Sequence, residues 1–142
     1  MLAPHDLAIG YEILGAFGEP ESAVGQWHDG GAVHLTGVLR GDGWWQMVEV
    51  SGRSADRKRA VELYCDEGVA VLGDGWDEHV TVYRDGPDGF MEEQIQTPGE
   101  LPLLAELRSF VDYLRGGPPP RSSAAEGAAV VSAIAKLRAL AA

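Results

Sequence analysis

A single cysteine, Cys65, stands among the 142 residues of this sequence, which excludes an internal disulfide and any zinc site built from several cysteines. A reducing cytoplasm is therefore the expected setting. Basic residues are scarce: 11 Lys and Arg against 22 Asp and Glu leave a net charge of -11 and a pI near 4.6. Nucleic acid and anionic membrane surfaces both reward a basic patch, so neither is an expected partner. No apolar run approaches the roughly 18 residues that cross a bilayer, and the start Met1-Leu2-Ala3-Pro4-His5 has neither the basic opening nor the apolar stretch of a signal peptide. There is no internal repeat, and the proline run at 118–120 is the one low-complexity segment. What is present, 45% hydrophobic residues, suffices for one core, and the expected organisation is a single domain over 1–142.

The pattern around which the chain is organised runs from Gly31 to Val50. Val33, Leu35 and Leu39 fall on one parity, His34, Thr36, Val38 and Arg40 on the other, and Gly41-Asp42-Gly43 turns the chain into Trp44 to Val50. Alternation on either side of a short Gly/Asp loop predicts a β-hairpin. Apolar residues occur on both parities, so both faces are expected to be covered at least in part, one by the chain's own helices and the other by a partner. Ser22 to Trp27 reads as a preceding strand. Beyond Val50, the polar stretch 51–59 breaks the pattern. Val61 to Cys65 and Val69 to Leu72 then form a second hairpin about Asp66-Glu67-Gly68, and His79 to Arg84 and Phe90 to Gln96 follow as strands. Six or seven short strands joined by tight turns imply a largely antiparallel sheet.

Helical periodicity marks both ends. Leu7, Tyr11, Leu14 and Phe17 share one face of a helix expected over 6–17, with Asp6 as its N-cap. Leu103, Leu104, Leu107, Phe110, Val111 and Leu114 give the apolar stripe of a second helix, stopped by Gly116-Gly117-Pro118. Ser123 and Glu126 form a capping box that opens a third, with Val130, Val131, Ile134 and Leu137 as its buried stripe. Strands first and a helix pair last define an α+β fold: an open, largely antiparallel sheet of six or seven strands, helices on one face and the other face free for dimerisation.

Candidate chemistry is sparse. The glycine strings Gly15-Ala16-Phe17-Gly18 and Gly41-Asp42-Gly43 lack the third glycine of a dinucleotide loop, and the second joins strand to strand, so they read as turns and no cofactor site is expected in this chain. His5-Asp6 is the strongest candidate site. An imidazole at a helix start sits near orphan amides and exchanges protons near neutrality, although a solvated terminal histidine is the plainer reading of position alone. His28-Asp29 with His34 offers a three-ligand metal set, but nothing else has ligand spacing and ordinary sheet roles are favoured. Arg53, Arg57, Lys58 and Arg59 suit a phosphate, or more simply a charged edge that discourages strand pairing. Trp27, Trp44, Trp45 and Trp76 suit sugar stacking, a sheet core or a dimer interface alike.

In order and spacing, several strings resemble the C-terminal domain of the Gfo/Idh/MocA family of NAD(P)-dependent oxidoreductases. These are Ala3-Pro4-His5-Asp6-Leu7 leading to Ile13-Leu14-Gly15, Val61 to Ala70, Leu104 to Gly117, and Pro118 to Glu126 with the helix after it. The resemblance covers nearly the whole chain. It implies an open sheet with helices on one face, a subunit contact on the other, and a sugar or cyclitol held beneath a nicotinamide. It also places His5 on the family's proton-transferring histidine, with Met1 where the pattern has aspartate. The family's nucleotide-binding half, with its glycine loop and Glu-Lys-Pro lysine, does not occur in these residues. The resemblance therefore implies a substrate-binding and dimerisation domain that lacks its nucleotide-binding half, with NAD(P) held only by a separate Rossmann domain. His5 is the expected acid/base, Asp6, His34 and Trp27 are the expected substrate contacts, and a homodimer and a separate Rossmann-type chain are the expected partners. The rivals are a stand-alone isomerase, lyase or cyclase using His5, and a pure dimerisation module.

Overall fold

His28-Asp29-Gly30-Gly31 forms a two-residue hairpin turn, with Asp29 at φ 48° and Gly30 at φ 76°. Positive φ at both central residues is the two-residue turn whose twist matches that of paired strands. It joins β1 (Glu19–His28) to β2 (Gly31–Arg40), and the Gly41–Trp44 turn, closed by a 2.9 Å backbone hydrogen bond, leads to β3 (Trp45–Ser51). The computed structural model describes residues 3–55, 58–73, 78–87, 89–97, 99–121 and 123–142. Within them the element order is α1 (Ala3–Leu14), β1, β2, β3, β4 (Val61–Cys65), β5 (Gly68–Leu72), β6 (His79–Gly86), β7 (Gly89–Gln96), α2 (Pro102–Leu114) and α3 (Ala124–Leu140). The fold is α+β, and every strand pairing is antiparallel. The seven strands form two hydrogen-bonded sheets, β1-β2-β3 and β4-β5-β6-β7.

The chain divides into two compact units, residues 1–55 with 121–142, and residues 56–120. In the first, α1 and α3 lie on the three-stranded sheet. The odd-numbered side chains of β2 face them: Leu35 and Leu39 are buried with Val48 and Val50 of β3, Leu7 of α1, and Val130, Ala133 and Leu137 of α3. Gly37 lies between Leu35 and Leu39, and an added Cβ there would stand 2.6 Å from Leu137 Cδ2, so the missing side chain is what lets α3 seat on the sheet. The capping box of α3 is formed, with Glu126 N donating to Ser123 Oγ at 3.1 Å and Ser123 N donating to Glu126 Oε2 at 2.6 Å. Of its expected stripe, Val130 and Leu137 are buried, Ile134 packs at the margin, and Val131 is exposed while Ala133 takes its place inside. Close approach of helix to sheet favours the small side chain.

The first helix starts earlier than its hydrophobic spacing suggests. Ala3–Leu14 is helical, so Asp6 lies in its first turn, where the helix dipole favours an acid, and does not serve as N-cap. Pro4 suits a first turn because its missing N–H costs no bond there. Gly15, at φ 74° and donating to the Tyr11 carbonyl at 2.8 Å, ends the helix. Phe17 therefore falls outside it, yet still stacks on Tyr11 with ring centroids 4.5 Å apart.

In the second unit β4 to β7 make a simple meander. Gly68 allows the β4–β5 hairpin to approach β6, since a Cβ there would run into the Tyr83 carbonyl. Helix α2 has the periodic stripe expected of it, but none of its residues is buried, and Leu103, Leu107, Phe110 and Leu114 are exposed. All eight buried apolar side chains of the described residues belong to the first unit.

Candidate functional site

The first turn of α1 is held to the sheet by one side chain that the sequence pattern does not single out. Gln46 of β3 reaches back 40 residues and donates from Nε2 to the backbone carbonyl of Asp6 at 3.3 Å. Gly10, one turn further along α1, leaves the space that the Gln46 amide occupies, because a Cβ at that position would meet it. The backbone beneath His5 is thus tied to the sheet, while the His5 side chain is exposed. Leu7, fully buried two residues on, anchors the same turn from the core side. An imidazole presented to solvent from a backbone fixed in this way is available to a bound molecule and can take or give a proton.

Asp6 adjoins His5 in the same turn, but His34 and Trp27 are not gathered around it. His34 lies on the even-numbered face of β2, turned away from the helices, and its Nε2 lies 3.0 Å from Thr36 Oγ1 on the same strand. Trp27 lies on the helix side of β1, where the guanidinium of Arg138 stands 5.3 Å from its ring centroid and its Nε1 approaches Gly25. Trp27 pairs with Ala32, whereas Gln46 pairs with Leu39. At about 3.4 Å per residue those two positions on β2 are about 24 Å apart. His5 and Trp27 therefore sit near opposite ends of this sheet, and His34 is on its other face.

The proposed metal set does not assemble. His28 Nε2 and Asp29 Oδ2 are 3.4 Å apart at the exposed β1–β2 turn, while His34 is engaged with Thr36 on the sheet face. Among the described residues no three His, Cys, Asp or Glu side chains cluster as metal ligands. Of the basic stretch, Arg53 and Lys58 are exposed, Arg59 is half-buried, and Arg57 lies outside the described residues. Trp44 packs over Gly41 in the β2–β3 turn, Trp45 beside it is exposed, and Trp76 lies outside the described residues.

Gly41-Asp42-Gly43 joins two antiparallel strands, and Gly15 closes a helix, so neither places a helix N-terminus against a phosphate as a strand-to-helix glycine loop does. Two shallow hollows, of about 220 and 120 Å³, lie on the four-stranded sheet and share Val82 and Arg84. Neither is lined by His5, Asp6, His34 or Trp27. Among the described residues the displaced acid–base group is Tyr64, whose phenol is held above its usual value of 10.0 by a 2.5 Å hydrogen bond to Glu62 and by the charge of that carboxylate.

The architecture is shared with solved oxidoreductases. UDP-N-acetylglucosamine 3-dehydrogenase GnnA from Acidithiobacillus ferrooxidans superposes with a TM-score of 0.81 at 19% identity, over 98% of this chain and 48% of that one. YPO2259 from Yersinia pestis, assigned as an oxidoreductase, gives 0.79 at 17% identity, over 99% and 46%. The chain spans about half the length of the solved chains it matches. At these identities the likeness is one of fold, and in fold it bears out the resemblance to the C-terminal domain of Gfo/Idh/MocA oxidoreductases. No protein-family model matches the sequence, and no curated protein does either. No described helix is long and apolar enough to cross a membrane.

Proposed function

We propose that this chain is the substrate-binding and dimerisation domain of an NAD(P)-dependent oxidoreductase acting on a sugar or cyclitol, working in the cytoplasm with a separate Rossmann-type chain that holds the nucleotide. The observation that carries the reading is the fit of almost the entire chain to about half of GnnA, a UDP-N-acetylglucosamine 3-dehydrogenase. In this reading His5 does the acid–base work. When a carbinol carbon gives up hydride and becomes a carbonyl, the hydroxyl proton goes to the imidazole, and in the reverse direction it returns. The Gln46–Asp6 tie keeps that histidine's backbone in place. Two copies pair through an uncovered sheet face.

Calorimetry on the purified chain tests the division of labour. The expected result is no micromolar binding of NAD(H) or NADP(H), and NAD(P)-dependent turnover of a sugar once a purified Rossmann-type partner is added. In the reconstituted enzyme His5→Ala is expected to lower kcat by at least about 100-fold while substrate binding persists. Micromolar nucleotide binding by the chain alone would refute the proposal, and unchanged turnover in His5→Ala would remove the histidine from it.

A further inference from the structure

Two residues that local rules disfavour meet beneath the first turn of α1. Gln46, Val48 and Val50 form the core-facing row of β3, because Gln46 pairs with Leu39 and Val50 with Leu35, both buried. The two valines are buried, and an apolar residue at 46 would extend their packing. The row carries a half-buried amide there instead. Against it stands Gly10, buried in the interior of α1, where glycine is the least favourable residue after proline. The two fit each other. A Cβ on Gly10 would run into Gln46 Nε2 and stand 2.6 Å from its Cδ and Oε1, so the glycine is what admits the amide. From there Nε2 donates to the Asp6 carbonyl at 3.3 Å, one turn back on the same helix face. Departures from local preference concentrate where function outweighs stability.

We infer that Gly10 and Gln46 are a matched positioning pair for His5, suited to placing the imidazole rather than to stabilising the fold, a role that rests on the acid–base work proposed above for that histidine. Neither residue reaches a reacting atom. They act through the backbone of the first turn, which is the part of a helix most prone to fray, because its first N–H groups have no partner within the helix. Leu7, fully buried, fixes the depth of that turn on the core but leaves it free to rock. The bond from Gln46 to the carbonyl next to His5 removes that freedom. The precision matters to the chemistry: proton transfer needs heavy atoms within about 2.6–3.2 Å, and a displacement of about 1 Å lowers a rate by about 100-fold. Stability alone predicts the opposite pair, an apolar residue at 46 and alanine at 10.

Two substitutions separate placement from stability. Gln46→Met keeps the length of the side chain and removes its donor. Gly10→Ala moves the amide aside, since what stands in its way is the far end of a flexible side chain. In the chain alone, both are expected to unfold at a urea midpoint equal to or above that of the wild type. Hydrogen exchange at the amides of Leu7 and Ala8, which close the first turn of α1, is expected to become at least about tenfold faster. In the enzyme reconstituted with its Rossmann-type partner, kcat is expected to fall at least about tenfold while KM stays within about twofold, because substrate still binds beside a misplaced imidazole. Wild-type kcat or wild-type exchange in both variants overturns the inference. A urea midpoint that falls in step with kcat assigns the pair to stability and overturns it as well, and in either case the loss of turnover in His5→Ala stands unaffected. Unchanged turnover in His5→Ala, or a chain that no Rossmann-type partner activates, overturns the inference together with the reading beneath it.

Discussion

Gly37 and Leu137 form the contact on which the seat of α3 depends, and a double-mutant cycle across them measures it. Leu137 is 1% exposed, and a Cβ on Gly37 would fall 2.6 Å from its Cδ2 and 3.2 Å from its Cδ1. Gly37→Ala therefore forces a methyl into filled space at about 1–3 kcal/mol. The restricted unfolded chain returns about 0.5 kcal/mol, and a net loss of about 0.5–2.5 kcal/mol is expected. Leu137→Ala empties the site and is expected to cost about 2–5 kcal/mol. In the double variant the new methyl enters space the leucine has left, so the clash disappears and part of the void is filled. The combined loss is expected to fall short of the sum by about 1–2 kcal/mol, well beyond the ~0.5 kcal/mol scatter of independent sites. Urea unfolding followed by tryptophan fluorescence suits the assay, since Trp27, Trp44 and Trp45 all belong to the unit that holds this contact. Each kcal/mol also moves Tm by about 3–4 °C in a chain of this size. A neutral or stabilising Gly37→Ala, or losses that simply add, would refute the packing argument.

Two further outcomes follow from local geometry. Ser123→Ala removes the acceptor for the Glu126 amide and breaks the capping box of α3, with an expected loss of about 1 kcal/mol in the same unfolding assay. Glu62→Gln removes the charge that favours the neutral phenol of Tyr64, so spectrophotometric titration should show one tyrosine ionising at lower pH than in the wild type. Because the folded-state value is raised, the stabilisation linked to this contact is present below the ordinary tyrosine range and is lost as pH rises through the raised value. A tyrosine titration that does not move in Glu62→Gln would remove the Glu62 charge as a cause of the raised value.

Where local chemistry dictates structure, the sequence alone determined the result. Asp29-Gly30 specified its hairpin turn because that dipeptide tolerates positive φ, Ser123 and Glu126 specified the start of α3, and the alternation in 31–50 specified strands. The α+β class followed from the change of period after Gln96. The first helix was misplaced by three residues at each end because its apolar spacing runs on through Phe17, whereas Gly15, in the left-handed region, stops the backbone first. Only the tertiary structure decided what distance along the chain conceals. Gln46 holds the turn beneath His5 through a bond spanning 40 residues, with no periodic or motif signal to announce it. His34 and Trp27 looked like companions seven residues apart on one hairpin, yet the pleat places one on the outer face and the other against α3. The stripe of α2 was legible as a stripe, but its exposure was not. Periodicity records which side chains share a face, and burial depends on what the rest of the molecule places against that face.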